Sequence, residues 1–200
     1  NYTPAFEKGM ADHMAEIDAI AERADSPTLE NTIIAMEKSG ALLDRVATVF
    51  FALISANTND EMEKIRSEMA PKLSAHSDQI LLNGKLFHRV KTIYDQRDQL
   101  GLDAESKRLV EKYYTDFIRS GANLSNEEKE SLKKINGEMA VLQTTFSQNV
   151  LKEVNALAVV VDSKDELDGL SDAAIEAAAN EAKSRELAGK YVLTLRNTSG

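Results

Sequence analysis

The chain contains no cysteine, so neither a disulfide framework nor a thiolate metal site can form, a pattern that fits a cytoplasmic protein. Basic residues are in deficit: 24 Lys+Arg stand against 33 Asp+Glu, a formal net charge of -9. A partner held by its phosphate backbone needs a basic footprint that releases counterions, so no nucleic-acid partner is expected. No run approaches the roughly 20 consecutive apolar residues that cross a bilayer. Asn1 to Met10 also lacks a basic stretch followed by an apolar one, so neither membrane insertion nor an attached secretion signal is expected.

Motifs that carry chemistry are missing too. The only histidines are His13, His76 and His88, and no two are three to five residues apart. A His-Glu-x-x-His zinc motif, which sets two imidazoles on one helical face, is therefore absent. Gly-x-Ser-x-Gly does not occur, which leaves no anchor for a nucleophilic Ser–His–Asp set. Gly9, Gly40, Gly84, Gly101 and Gly121 are isolated; they read as helix ends or tolerated interior positions, not as a phosphate loop. His13 with Glu16 and His76 with Asp78 are the nearest approaches to acid–base or metal pairs. A lone histidine with a charged neighbour on a helix is far more often a solvated or core-edge residue, so no catalytic, cofactor or metal residue is assigned.

What the sequence does contain is helical periodicity. Hydrophobic residues make up 42% and charged residues 28% of its 200 positions, which suits a folded chain of one large domain or one domain plus the start of another. Thr3-Pro4 reads as a cap followed by proline at the first helical position, and Phe6, Met10, Met14, Ile17 and Ile20 share one face. Asp25-Ser26-Pro27 ends that helix. A second helix is predicted from Thr28 to about Ala56, with Leu29, Ile33, Met36, Leu43, Val46, Phe50 and Leu53 in a stripe. From Val46 to Ile54 the apolar residues surround the axis, which predicts a helix inside a bundle. Thr58 and Glu61 fit a capping box for a third helix, with a kink or restart at Pro71. Asn83-Gly84 breaks the pattern, and a helix carrying Leu86, Phe87, Val90, Ile93 and Tyr94 closes at Gly101.

Asp103 caps the next predicted helix, with Leu109, Val110, Tyr113, Phe117 and Ile118, which ends at Gly121. Ser125 and Glu128 form another capping box. The charged run from Asn126 to Glu130 complements the helix dipole and is not a metal cluster. The helix it opens is predicted to reach about Asn155, with Leu132, Ile135, Met139, Leu142, Phe146 and Val150 spaced for shallow-angle packing. Tyr113 and Tyr114 could stack on a ligand; on an amphipathic helix one core ring and one partly exposed ring is the better reading. The character then changes, with a β-branched run at Ala158–Val161, an alanine-rich helix capped by Ser171 and reaching about Leu187, and alternation over Tyr191–Leu195.

Several segments resemble the N-terminal part of the thimet oligopeptidase, neurolysin and oligopeptidase A family, and of its bacterial peptidyl-dipeptidase branch in particular. They are residues 2–10 (Tyr-Thr-Pro-Ala-Phe-Glu-Lys-Gly-Met), residues 31–40 with Leu42-Leu43 and Arg45-Val46, residues 49–52, Thr58–Glu61, Leu82–Phe87, Leu100–Asp103 and Leu195–Thr198. The resemblance covers essentially the whole chain, in the order of its segments and not in any catalytic motif. It implies a mainly α fold: a long-helix bundle like the neurolysin N-terminal lobe over residues 1–156, and the truncated start of a mixed α/β region over 157–200. Both ends read as cuts, so the chain reads as a fragment.

The resemblance further implies a zinc-dependent enzyme that removes dipeptides from the C-termini of short peptides. Its zinc and catalytic residues would lie in a C-terminal lobe outside this sequence, and these residues would wall the substrate channel. The fragment alone is then expected to be inactive. The partners so implied are that C-terminal lobe and short peptide substrates, in the cytoplasm or, as the second choice, the periplasm. The alternatives are an oligopeptidase A-type endopeptidase fragment and a non-enzymatic helical module that binds a partner protein in a groove.

Overall fold

Residues 2–194 are described in the computed structural model of the chain. Helix α1 spans Tyr2–Ala21, so Thr3 lies inside the first turn and is not its cap. Pro4 is still accommodated there, because the first four N–H groups of a helix have no intrahelical acceptor. One face buries Phe6, Ile17 and Ile20, with Met10 and Met14 half-buried between them.

The stretch predicted as one helix from Thr28 to Ala56 is divided. Thr28 and Asn31 cap a π-helical segment, Leu29–Ile34, each side chain accepting the other's backbone N–H. One more turn, α2 (Ala35–Lys38), follows. Ser39 then turns to extended backbone and Gly40 to the left-handed region (φ 73°) before α3 begins at Ala41 and runs to Ala56. A side chain at Gly40 would be strained and would also meet the His13 ring at 2.8 Å. By length and composition Leu29–Ala56 resembles a membrane-crossing segment. The turn at 39–40 leaves α3 only 16 residues, about 24 Å, short of the roughly 30 Å hydrocarbon layer. Nor is α3 enclosed: Phe50 is buried, but Val49, Phe51 and Leu53 are exposed.

Helix α4 spans Asp60–Leu81 and passes through Pro71 without a restart. Asn59 caps it by accepting the Met62 N–H, while Thr58 donates to Glu63 instead of forming the expected box with Glu61. Asn83 accepts from Lys85 and Leu86 to open α5 (Gly84–Gln96). Asp103 accepts from Ser106 to open α6 (Ala104–Arg119). That helix closes in a Schellman turn: Ala122 N–H bonds to Phe117 C=O and Gly121 N–H to Ile118 C=O, with Gly121 at φ 92°.

Two apolar clusters result, and α1 belongs to both. Its first half joins Phe50 of α3 and Met69 of α4 around Phe6. Its second half joins Ile33, Met36, Leu86, Phe87, Val90, Ile93, Val110 and Phe117 around Ile17 and Ile20.

Helix α7 spans Asn126–Ala156, about 46 Å at 1.5 Å per residue. Ser125 and Glu128 cap it reciprocally, as the sequence predicts. Its stripe does not pack as expected: Leu142 is 66% and Phe146 70% exposed, and Ile135, Met139 and Val150 are exposed as well.

The chain forms two compact units, residues 1–144 and 145–200. In the second, β1 (Val159–Val161) pairs antiparallel with β2 (Tyr191–Leu193), Val160 opposite Val192. Helix α8 (Asp172–Ser184), capped by Ser171, contributes Ala178 and Ala182 to a small core with Val161, Leu167 and Val192. The predicted end of the last strand, Leu195, lies outside the described residues, as do the resembling positions 196–198. The fold is mainly α with one small α/β element.

Candidate functional site

Among the described residues no group of three or more His, Asp or Glu side chains is placed to hold a metal ion. His88 is exposed on α5. The other two histidines, 63 positions apart in sequence, meet: His76 Nε2 lies 3.0 Å from His13 Nδ1. Helical spacing could not reveal that meeting, because it depends on α1 and α4 packing side by side.

The junction is built from three elements. His13 comes from α1, and its Nε2 lies 3.1 Å from Ser39 Oγ in the turn between α2 and α3. Ser39 Oγ–H donates to Met36 C=O at 2.7 Å. One helical turn beyond His13, Glu16 accepts the Gly40 N–H at 2.7 Å. His76 on α4 is buried. Burial holds the pKa of both rings below the ordinary imidazole value; Glu16 opposes this at His13, and His13 adds to it at His76. With these nitrogens committed to one another and to Ser39, and no third ligand grouped with them among the described residues, the histidines do not fit a zinc ion.

Arg89 makes a second polar cluster. Buried on α5, it donates to Arg23 C=O, Asp25 C=O, Thr32 Oγ1 and Asn31 Oδ1. It thereby clamps the 23–32 connection onto α5. Arg23 and Asp25 pair bidentately at the surface, and the Arg23 guanidinium draws the Asp25 carboxyl down to about 2. Four of its five N–H donors are thus spent on holding that connection.

Tyr113 and Tyr114 are both half-buried and both committed. Tyr113 Oη–H donates to Glu37 at 2.6 Å. Tyr114 stacks on Tyr94, with centroids 3.8 Å apart, and Arg97 lies over the other ring of that pair. Neither is open to a ligand. The described residues thus hold structural junctions and no assembled set of nucleophile, base and electrophile.

No family model matches the chain. Individual relatives do. It is 41% identical over 199 residues to the dipeptidyl carboxypeptidase of Escherichia coli (strain K12), which covers 100% of this chain and 29% of that protein. The chain belongs to the thimet oligopeptidase family. It matches the N-terminal part of the family's sequence, and it spans about 29% of the length of these curated dipeptidyl carboxypeptidases.

The dipeptidyl carboxypeptidase of Salmonella typhimurium is 40% identical over the same 199 residues. Oligopeptidase A of Escherichia coli is 25% identical over 192 residues, 96% of this chain and 28% of that protein. Among these relatives the likeness is thus stronger to the dipeptidyl carboxypeptidases than to oligopeptidase A. These relatives are peptidases by name.

Proposed function

We propose that this chain is the non-catalytic N-terminal lobe of a zinc metallopeptidase that releases dipeptides from the C-termini of short peptides. One observation carries the reading: 41% identity runs end to end into 29% of a dipeptidyl carboxypeptidase. The lack of a metal-ligand cluster among the described residues is compatible with it. In this reading residues 1–156 are the helical lobe and 157–200 begin a mixed α/β region. The zinc, its ligands and the catalytic residues belong to a C-terminal lobe, and this chain contributes one wall of the channel that admits peptides. The cytoplasm is the proposed location, with the periplasm second.

The exposed apolar stripe of α7 supports a covering partner, since contiguous apolar patches of this kind mark interaction surfaces. In the proposed enzyme the C-terminal lobe supplies that cover.

The test is hydrolysis of a blocked tetrapeptide with a free C-terminus, with zinc added, by this chain and by the full-length protein that contains it. Dipeptide release by the full-length protein alone supports the reading. Internal cleavage of longer peptides would move it to an oligopeptidase A-type endopeptidase. Inactivity of both would leave a helical interaction module, and activity of the 200-residue chain would overturn the assignment of a non-catalytic lobe.

A further inference from the structure

The two histidines lie on the seam between the apolar clusters. Met10 packs with the cluster around Phe6, and Met14 with the one around Ile17, so His13 occupies the polar step between them on α1. The hydrogen bonds around it have one consistent direction. Ser39 Oγ–H is spent on Met36 C=O, so at His13 the hydroxyl oxygen accepts and Nε2 carries the proton. A neutral His13 then has a bare Nδ1, which accepts from His76 Nε2–H. The chain His76 to His13 to Ser39 to Met36 ties α4, α1 and the α2–α3 turn together.

The pair takes up acid in two steps with opposite consequences. A proton added to His76 Nδ1 leaves its Nε2–H donor in place, and the chain survives. With one added proton the rings share a single N–H between His76 Nε2 and His13 Nδ1; only a second proton, which makes both rings cations, sets two N–H groups against each other across 3.0 Å and breaks the link from α4.

We propose that this histidine chain is an acid-sensitive latch: protonation of both rings uncouples α4 from α1 and loosens the Gly40 anchor in the turn that separates α2 from α3. The surrounding charges bear on the proton that His13 takes. On α1, Glu16 is the carboxylate that bears on His13. It already holds the Gly40 N–H, so drawing it to an imidazolium would loosen the same turn. On α4, Lys72 is engaged by Glu7 of α1, and Asp78 accepts from Asn136 of α7. The turn contributes Ser39 and Gly40, which do not titrate. Helix α3 crosses α1 through the apolar approach of Leu43 to Gly9. The inference does not depend on the peptidase reading.

The test is nitrogen-15 NMR of the histidine rings and amide exchange of the intact 200-residue chain. At pH 8 both rings should be single tautomers with the proton on Nε2; a proton on His13 Nδ1, or a tautomer mixture, would overturn the proposal. Between pH 7.5 and 5.5 the protection factor of the Gly40 amide, corrected for intrinsic exchange, should fall by about tenfold or more, the factor for one pKa unit. Amides at Val90 and Phe117 in the other cluster should hold theirs. Unchanged Gly40 protection, or an equal fall everywhere, would count against a latch. His13→Gln keeps a donor and an acceptor without titrating, so it should abolish the fall, and persistence there would sink the idea. If that variant does not fold, the ring tautomers and exchange of the unaltered chain still decide.

Discussion

Two glycines inside helices show how differently one methyl group is received. A Cβ on Gly9 would come within 2.9 Å of the Leu43 Cα, where α1 and α3 cross, whereas one on Gly137 of α7 would meet nothing within 4 Å. We expect Gly9→Ala to destabilise the chain by about 1–3 kcal/mol through overpacking. Gly137→Ala should stabilise it by up to about 1 kcal/mol through helix propensity. Urea unfolding of both variants checks the opposite signs. Arg89→Met leaves four acceptors of the 23–32 connection without their cation and should lose about 2–4 kcal/mol in the same measurement. The histidines set an acid limit: their folded pKa values lie below the unfolded one, so the unfolded chain binds protons first as pH falls. Stability should therefore be full above about pH 6.5 and decline below it, and His13→Gln should flatten part of that decline in thermal melts across pH.

At the scale of elements, caps were more legible than continuity. Asp103, Ser125 and Ser171 open helices where their side chains suggest, because a cap is a local contest between one side chain and the backbone N–H groups beside it. The break at Ser39–Gly40 was missed, since the apolar stripe resumes beyond it in nearly the same phase. Its cause lies elsewhere in the sequence: Gly40 is positioned by Glu16 and the His13 ring of α1. Pro71 misled in the other direction, as α4 continues through it. Helix α7 shows the limit of periodicity, which marks an apolar face without saying what covers it. Replacing Leu142 and Phe146, both more than half exposed, with glutamine should leave the melting temperature nearly unchanged while reducing self-association of the chain in sedimentation velocity. A chain that is monomeric at high concentration before the replacement would argue against α7 as a docking face.

At the scale of the molecule, the proposed division of labour places chemistry and scaffold in different parts of one longer polypeptide. No His-Glu-x-x-His or Gly-x-Ser-x-Gly motif occurs in this sequence, and among the described residues no metal-ligand group is assembled from distant positions; the histidines that do converge are tied into a structural chain. The sequence by itself determined the helical class, most helix starts, the small α/β element and the kinship with dipeptidyl carboxypeptidases, because each is written in local periodicity, capping chemistry or residue-by-residue likeness. Tertiary structure alone decided that His13 meets His76, that Arg89 clamps the 23–32 connection, that the predicted Thr28–Ala56 helix is divided and that the α7 stripe stands uncovered. Those outcomes depend on which residues some 24 to 66 positions apart become neighbours, and one-dimensional spacing cannot encode the packing of one helix against another.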